Sequence, residues 1–385
     1  MTVTEPKGFL SAGVAAGIRE GEGLDLAVVI NQGPLNVGAA VYTSNRAKAN
    51  PILWSRSVLS NGQIKAVVLN SGGANCFTGD FGFETSRLTA ELAAELLASP
   101  PEQVQVCSTG MIGVGGEEFR EKILTNLPRA VAEASAEGGM DAANAILTTD
   151  TKPKTVVYEG DGWKIAGMAK GAGMLAPGLA TMLVVITTDL VLTVDEADRA
   201  LRYATSKTFN RLDSDGCMST NDQVTLLASG ASNVTVEFDA FQDALTAVCA
   251  DLALQLLADS EGSSHDIAIR VFNAASEEDA ENVGRTISRS NLFKAAVFGN
   301  DPNWGRILAA MGTTSAKFDP YNVDVVINGV RVCSKGGPDE DRSLVDMEPR
   351  QVDVDIDLKV GDKEATIWTS DLTYAYVEEN SAYSS

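Results

Sequence analysis

A single histidine, His265, limits the chemistry open to this sequence. Any Ser-His or Cys-His nucleophile would have to run through that one residue. The five cysteines, Cys76, Cys107, Cys217, Cys249 and Cys333, are scattered, odd in number and form no C-x-x-C pair. They read as buried free thiols, and with one histidine they supply no zinc signature, so no metal is expected. Asp213-Ser-Asp215-Gly216 opens like a calcium loop, but its glycine comes too early and Val224 stands where the closing glutamate belongs, so it reads as a turn. There is no Gly-Lys dipeptide for a P-loop, and Gly110-Met-Ile-Gly113-Val-Gly115-Gly116 lacks the dinucleotide spacing.

Three clusters combine small residues with a hydroxyl or a charge. Ser108-Thr109-Gly110 follows an apolar run, and a strand end opening onto glycine can aim a backbone N–H and a hydroxyl at one point, as an oxyanion requires. An ordinary turn would look the same. Lys170-Gly-Ala-Gly-Met-Leu-Ala-Pro-Gly-Leu-Ala180 leads to Thr181. Its glycines let the backbone bend tightly, and a strained peptide next to a hydroxyl can undergo N-to-O acyl shift. Hydrolysis of that ester would free the Thr181 amine, whose ordinary pKa of about 7.7–8.0 suits a base at neutral pH. One residue then supplies nucleophile and base, and histidine becomes unnecessary. The plainer reading is a β-branched residue heading a buried strand. Third, Lys170 and Glu261 could hold the two ends of a zwitterionic amino acid, although such residues are more often solvated. His265, four residues beyond Glu261, reads as a loop or strand residue.

The elements that must position these groups follow from periodicity. Strands are expected at Leu26 to Ile30, Val37 to Tyr42, Ala66 to Leu69, Val104 to Cys107, Trp163 to Met168, Met182 to Ile186 and Gln223 to Ala228. That order places Thr181 at a strand's first residue. Helices are expected over Glu84 to Leu97, with Leu88, Leu92, Leu96 and Leu97 at helical spacing, over Glu117 to Glu137, Val194 to Thr208, and Ala240 to Ala258 after Asp239 as N-cap. Further on, Asn328-Gly329 marks a hairpin, and Val352 to Val360 alternates apolar and polar residues, which predicts a sheet edge or a β-rich terminal subdomain. With no repeat or linker, one compact assembly of α/β layers is expected.

Composition bounds the class. The 385 residues, 44% of them hydrophobic, can bury a large core, and the length predicts two or three domains or one large α/β body. Acidic residues outnumber basic ones by 52 to 30, for a formal charge of −22, so binding to nucleic acid is not expected. The first residues lack a signal-peptide pattern, and no uncharged apolar run reaches bilayer length, which points to a cytoplasmic protein with no membrane partner.

Taken together, the motifs resemble the ArgJ family, the ornithine acetyltransferases (glutamate N-acetyltransferases) of arginine biosynthesis. The matches run nearly end to end: Asn70-Ser-Gly-Gly-Ala-Asn75, Ser108-Thr-Gly-Met-Ile-Gly113, Thr148-Thr-Asp-Thr151, Lys170-Gly-Ala-Gly-Met174, Ala180-Thr-Met-Leu183, Asn210-Arg-Leu-Asp213, Ser219-Thr-Asn-Asp222, Asp259-Ser-Glu-Gly262 and Gly299-Asn-Asp-Pro-Asn-Trp-Gly-Arg306. The resemblance implies an α/β, DOM-like fold of the N-terminal-nucleophile type with a β-rich C-terminal part. It implies a precursor cut between Ala180 and Thr181 into an α chain (1–180) and a β chain (181–385), assembled as an α2β2 heterotetramer. It also implies a two-step exchange in which N2-acetylornithine acetylates Thr181 and glutamate then takes the acetyl group, with acetyl-CoA as a possible second donor and no other cofactor. By position, Thr109 and Gly110 look like the oxyanion pair, and Thr148, Lys170, Thr181, Glu261, Asn380 and Ser385 fall where the family binds substrate. Two stretches depart from the family pattern. Ala176-Pro-Gly-Leu179 stands where many members have His-Pro-Asn-Met, and Gly-Ser-Ser-His265 where Gly-Ala-Thr-Lys is usual.

Overall fold

Consecutive apolar residues, rather than alternating ones, form the strands of the N-terminal part, as expected for strands covered on both faces. The computed structural model describes residues 2–176 and 182–382. The chain divides into two units rather than the single assembly expected. The first takes in residues up to 172 together with 182–210 and 218–256; the second takes in 173–176, 211–217 and 257–382.

In the first unit, β1 (Phe9–Val14), β2 (Leu26–Asn31), β4 (Ala66–Asn70) and β5 (Val104–Ser108) make one sheet in that order. β3 (Val37–Tyr42), β9 (Gln223–Ala228), β8 (Leu183–Thr188), β7 (Lys164–Lys170) and β6 (Lys154–Glu159) make a second. The helices α1 (Asn50–Val58), α2 (Gly79–Leu96) and α3 (Glu117–Glu133) cover one face of the first sheet through Trp54, Ala90, Ala93, Phe119, Ile123 and Leu127. Its other face shares a core with α4 (Gly139–Ala145) and with Met168, Leu183, Val185 and Leu227 of the second sheet. On the far face of that sheet lie α5 (Val194–Lys207), which packs against β3, and α6 (Phe238–Ala258), whose Leu252 meets Gly167. The layers run helix, sheet, sheet, helix.

Local chemistry sets the helix ends. Thr193 and Glu196 form a reciprocal capping box that starts α5. Asp239 lies within the first turn of α6 and does not cap it, since that helix starts one residue earlier, at Phe238; an acidic residue there still meets the positive end of the helix dipole. The buried face of α2 is made of Thr85, Ser86, Thr89, Ala90, Ala93 and Ala94, not of the leucine series, and Leu96 is exposed. Small residues let this helix approach the sheet closely, and the leucines lie beside that contact. α6 is long and apolar enough to cross a membrane by length and composition; here Phe241, Leu245, Val248, Leu252 and Leu256 are buried in the protein.

In the second unit, β10 (Asp266–Ala274), β11 (Asp324–Ile327), β12 (Val330–Ser334), β13 (Gly337–Pro338), β14 (Gln351–Asp357) and β15 (Lys363–Ser370) form one sheet in the order β13-β12-β11-β14-β10-β15. The alternating segment is therefore an interior strand of a β-rich unit and not an edge. Asn328 and Gly329, both at positive φ, make the expected turn between β11 and β12. α7 (Glu277–Ser288), α8 (Asn291–Phe298) and α9 (Trp304–Met311) pack on this sheet through Val283, Ile287, Phe293 and Ile307, and α10 (Tyr374–Ala382) closes the described chain.

Candidate active site

The second sheet of the first unit brings three strand ends together. β7 ends at Lys170, which pairs in register with Leu183 at the start of antiparallel β8. β8 runs parallel to β9, with Leu183 opposite Gln223. The long glycine-bearing excursion between Lys170 and Leu183 thus leaves and re-enters the sheet at adjacent strands. Thr181 and Ala180 lie outside the described residues, as does Ser385; the strand itself starts at Leu183 and not at Thr181.

At this sheet end sits a buried polar cluster. Lys170 is 1% exposed, against the solvated reading of its type, and its Nζ donates to Thr148 Oγ1 at 2.6 Å and Thr109 Oγ1 at 3.1 Å. The Asp150 carboxylate lies 3.7 Å from Lys170 Nζ and 2.5 Å from Lys154 Nζ, and it also accepts the backbone N–H of Gly171. Burial pushes the Asp150 carboxyl up, but the Lys170 and Lys154 charges and the hydrogen bonds outweigh it and hold the group down at about 2. Asp150 thus lies between two buried lysine side chains and ties the ends of β6 and β7 to the Thr148 loop.

Thr109 and Gly110 follow β5. The Thr109 N–H is taken by Asn70 O, and its carbonyl accepts the Gly73 N–H, each at 3.0 Å. Because Lys170 donates to Thr109 Oγ1, the hydroxyl hydrogen of Thr109 is free to point at a ligand. Gly110 has φ 132°, and a Cβ there would stand 2.5 Å from Gly73 N, so no side chain fits. Asn221, just before β9, ties the two loops together through Ala74 O at 2.7 Å and Ser108 O at 2.8 Å. A hydroxyl and a glycine N–H held this firmly beside a lysine can stabilise a developing oxyanion.

Asp222 completes the cluster and is fully buried. Its Oδ1 accepts the N–H of Met182 at 3.1 Å, while Oδ2 has no hydrogen-bond partner among the described residues. Desolvation raises its carboxyl well above the ordinary value, against the lowering effects of the Met182 N–H, Ser219, Lys170 and Thr43. Asp150, Lys154, Asn221 and Asp222 were not singled out from sequence, although the first and the last two lie within the quoted family motifs. For Asn221 and Asp222 the signal that could have found them is an amide and a carboxylate directly before a fully buried strand, where their burial is forced; no local signal marks Asp150 and Lys154.

In the second unit, Glu261 and Asn380 meet: Asn380 Nδ2 donates to Glu261 Oε2 at 3.0 Å. Gly173 packs so closely on the Glu261 carboxylate that a Cβ would approach it to 2.6 Å. Asp215 accepts the N–H of Met174, and its field and that of Glu261 add to burial in pushing the Tyr376 hydroxyl up to about 12. His265 is a buried structural residue, with Nδ1 2.8 Å from Asp371 Oδ2 and Nε2 3.2 Å from Met347 O. The Asp213 to Gly216 stretch is the expected turn, its Asp213 and Asp215 side chains accepting the N–H groups of Gly216 and Cys217. Among the described residues no cluster of His, Cys, Asp or Glu fits a metal. Four cysteines are buried thiols, whereas Cys217 is exposed on that turn. A cavity of about 950 Å³ runs along β3 in the first unit, lined by Tyr42, Thr43, Arg56 and Arg202 among others, and of these Thr43 is also a neighbour of Asp222.

Fold and site thus define a mixed α/β protein with a buried lysine, threonine and carboxylate cluster at one end of a sheet. The profile of the ArgJ family matches residues 10–385, and the chain belongs to that family. Curated relatives named arginine biosynthesis bifunctional protein ArgJ include those of Streptomyces coelicolor, 58% identical, and Thermobifida fusca, 55% identical, each over the whole of both chains. Among solved structures, ornithine acetyltransferase of Mycobacterium tuberculosis in complex with ornithine is 45% identical, with 47% of this chain and 96% of that one covered and a TM-score of 0.44. The arginine biosynthesis bifunctional protein argJ of Bacillus halodurans is 32% identical over 51% and 97% of the two chains, with a TM-score of 0.49.

Proposed function

We propose that the chain is an acetyltransferase of arginine biosynthesis that moves the acetyl group of N2-acetylornithine to glutamate. Whole-length identity to the curated ArgJ proteins supports the activity. The observation that carries the site is Lys170 bonded to both Thr109 and Thr148 at the end of the sheet that the chain re-enters at Leu183.

The precursor cuts itself between Ala180 and Thr181. Thr181 Oγ1 attacks the Ala180 carbonyl carbon, the amide C–N bond breaks as its nitrogen takes a proton, and water then hydrolyses the ester. Residues 1–180 become the α chain and residues 181–385 the β chain, with Thr181 carrying a free amine. In turnover that amine takes the hydroxyl proton while Oγ1 attacks the acetyl carbonyl of acetylornithine. Thr109 Oγ1–H and Gly110 N–H hold the oxyanion, and ornithine leaves with the proton. Glutamate reverses the steps and departs as N-acetylglutamate.

Lys170, with Thr148 beside it, pairs with a substrate carboxylate, and the carboxylate of Glu261 with the side-chain ammonium of ornithine; Asn380 and Ser385 complete the substrate contacts. Acetyl-CoA serves as a second acetyl donor, with no other cofactor. The cut chains assemble as α2β2 in the cytoplasm. Incubating purified protein with acetylornithine, with and without glutamate, tests the reading. Ornithine and N-acetylglutamate should form together only when glutamate is present, and release of acetate as the main product in both cases would assign a hydrolase instead.

A further inference from the structure

Asp222 is a buried carboxyl group that accepts the Met182 N–H and has the Ser219 and Thr43 hydroxyls as neighbours. It is fully buried, it precedes a fully buried strand, and Oδ2 makes no direct hydrogen bond to the described residues. Leaving such an atom unsatisfied inside a protein is costly, and natural folds retain few of them. The other oxygen is bonded to Met182 N–H at 3.1 Å. That nitrogen is covalently joined to the carbonyl carbon of Thr181, so the carboxyl group holds the peptide link of the very residue that the proposed cut exposes.

We propose that Asp222 is the proton-transfer group of the cut before Thr181, with Oδ1 holding the Met182 N–H and Oδ2 carrying the proton. This rests on the reading of Thr181 as the nucleophile. Oδ2 takes the hydroxyl proton as the bond from Thr181 Oγ1 to the Ala180 carbonyl carbon forms. It returns that proton to the Thr181 nitrogen as the C–N bond breaks, so Asp222 ends as it began, a carboxylate, and water then hydrolyses the ester to release the chain ending at Ala180. The precursor has no free amine at Thr181 to play this part, which is why the cut requires a base that the finished enzyme does not. Lys170, at the end of β7, is the charged group whose field reaches Asp222, and Asp150 lies behind it; the Thr43 and Ser219 hydroxyls are its polar neighbours. Burial raises the basicity of the carboxylate, which favours it as a proton acceptor over an ordinary surface aspartate.

The test follows the full chain as it is made in a cell-free extract and then shifted to buffers from acid to neutral pH, with appearance of the fragment ending at Ala180 read by mass. Wild-type cutting should slow as pH falls through a midpoint well above that of an ordinary aspartate. Asp222→Asn, nearly the same shape, should cut about 10²–10⁴-fold more slowly and lose that pH dependence. Placed in an uncuttable Thr181→Ala chain, Asp222→Asn should melt no lower than its parent at neutral pH, because it removes a buried charge and keeps an acceptor for Met182. Asp222→Asn cutting at the wild-type rate and with the wild-type pH profile overturns the proposal, as does a wild-type rate that is flat across the range if the variant does not fold. A wild-type chain that yields no such fragment defeats the reading of Thr181 itself, a separate outcome.

Discussion

At the scale of single residues, the cluster around Lys170 makes predictions that separate chemistry from support. Thr109→Val keeps the shape of the side chain and removes the hydroxyl that Lys170 binds, so acetyl transfer should fall about 10²–10³-fold in kcat with the fold intact by circular dichroism. Glu261→Gln keeps an oxygen for Asn380 but loses the charge, and should raise KM for acetylornithine while leaving the cut at its normal rate. Asp150→Asn removes the buried carboxylate that Lys154 and Lys170 share and should cost about 3–5 kcal/mol in denaturant titration. Asp150 also sets an acid limit. Its carboxyl is held at about 2 in the fold against about 3.9 in an unfolded chain, so its contribution is present above the unfolded value and is lost as pH falls from there to about 2. Wild type should show this acid loss of stability, and Asp150→Asn should not.

Secondary structure explains how a chain can be cut in the middle and remain one protein. β7 precedes Thr181 and β8 follows it, yet the two are antiparallel neighbours in the interior of a five-stranded sheet, paired from Ile165 with Thr188 to Lys170 with Leu183. Fragments 1–180 and 181–385 should therefore separate under denaturing conditions and migrate together under native ones, which size exclusion followed by denaturing electrophoresis checks. The same elements show what sequence can and cannot reveal. β3 and β9 match the expected bounds because each is a short, largely buried run between turn residues. The leucine spacing found α2, which starts five residues earlier at Gly79, but its buried face is made of alanines, threonines and a serine, because close packing on a sheet selects small residues that carry little weight in a hydrophobic pattern. Thr109 and Lys170 were legible as candidates, one beside a glycine and one before a glycine-rich stretch. Their meeting across strands β5 and β7 was not, because contact over such a separation comes from sheet stacking and from no local pattern.

Over the whole molecule, each unit has its own apolar core, one around Ile269, Val283 and Ile356 and others around Val28, Leu127 and Val185. Calorimetry should accordingly give a van't Hoff enthalpy below the calorimetric one, in place of a single two-state transition. One compact assembly was expected because no composition shift or linker marks a boundary. Residues 173–176 and 211–217 belong with the C-terminal unit, and such crossings of the chain leave no trace in composition. The central claim is that Thr181 becomes an N-terminal residue and carries the acetyl group, and intact mass measurement after brief exposure to acetylornithine tests it most directly. The account predicts a fragment ending at Ala180 with unchanged mass and a fragment starting at Thr181 heavier by one acetyl group, cleared by glutamate. A single uncut chain of 40.5 kDa, or an acetyl group found on another residue, would contradict it.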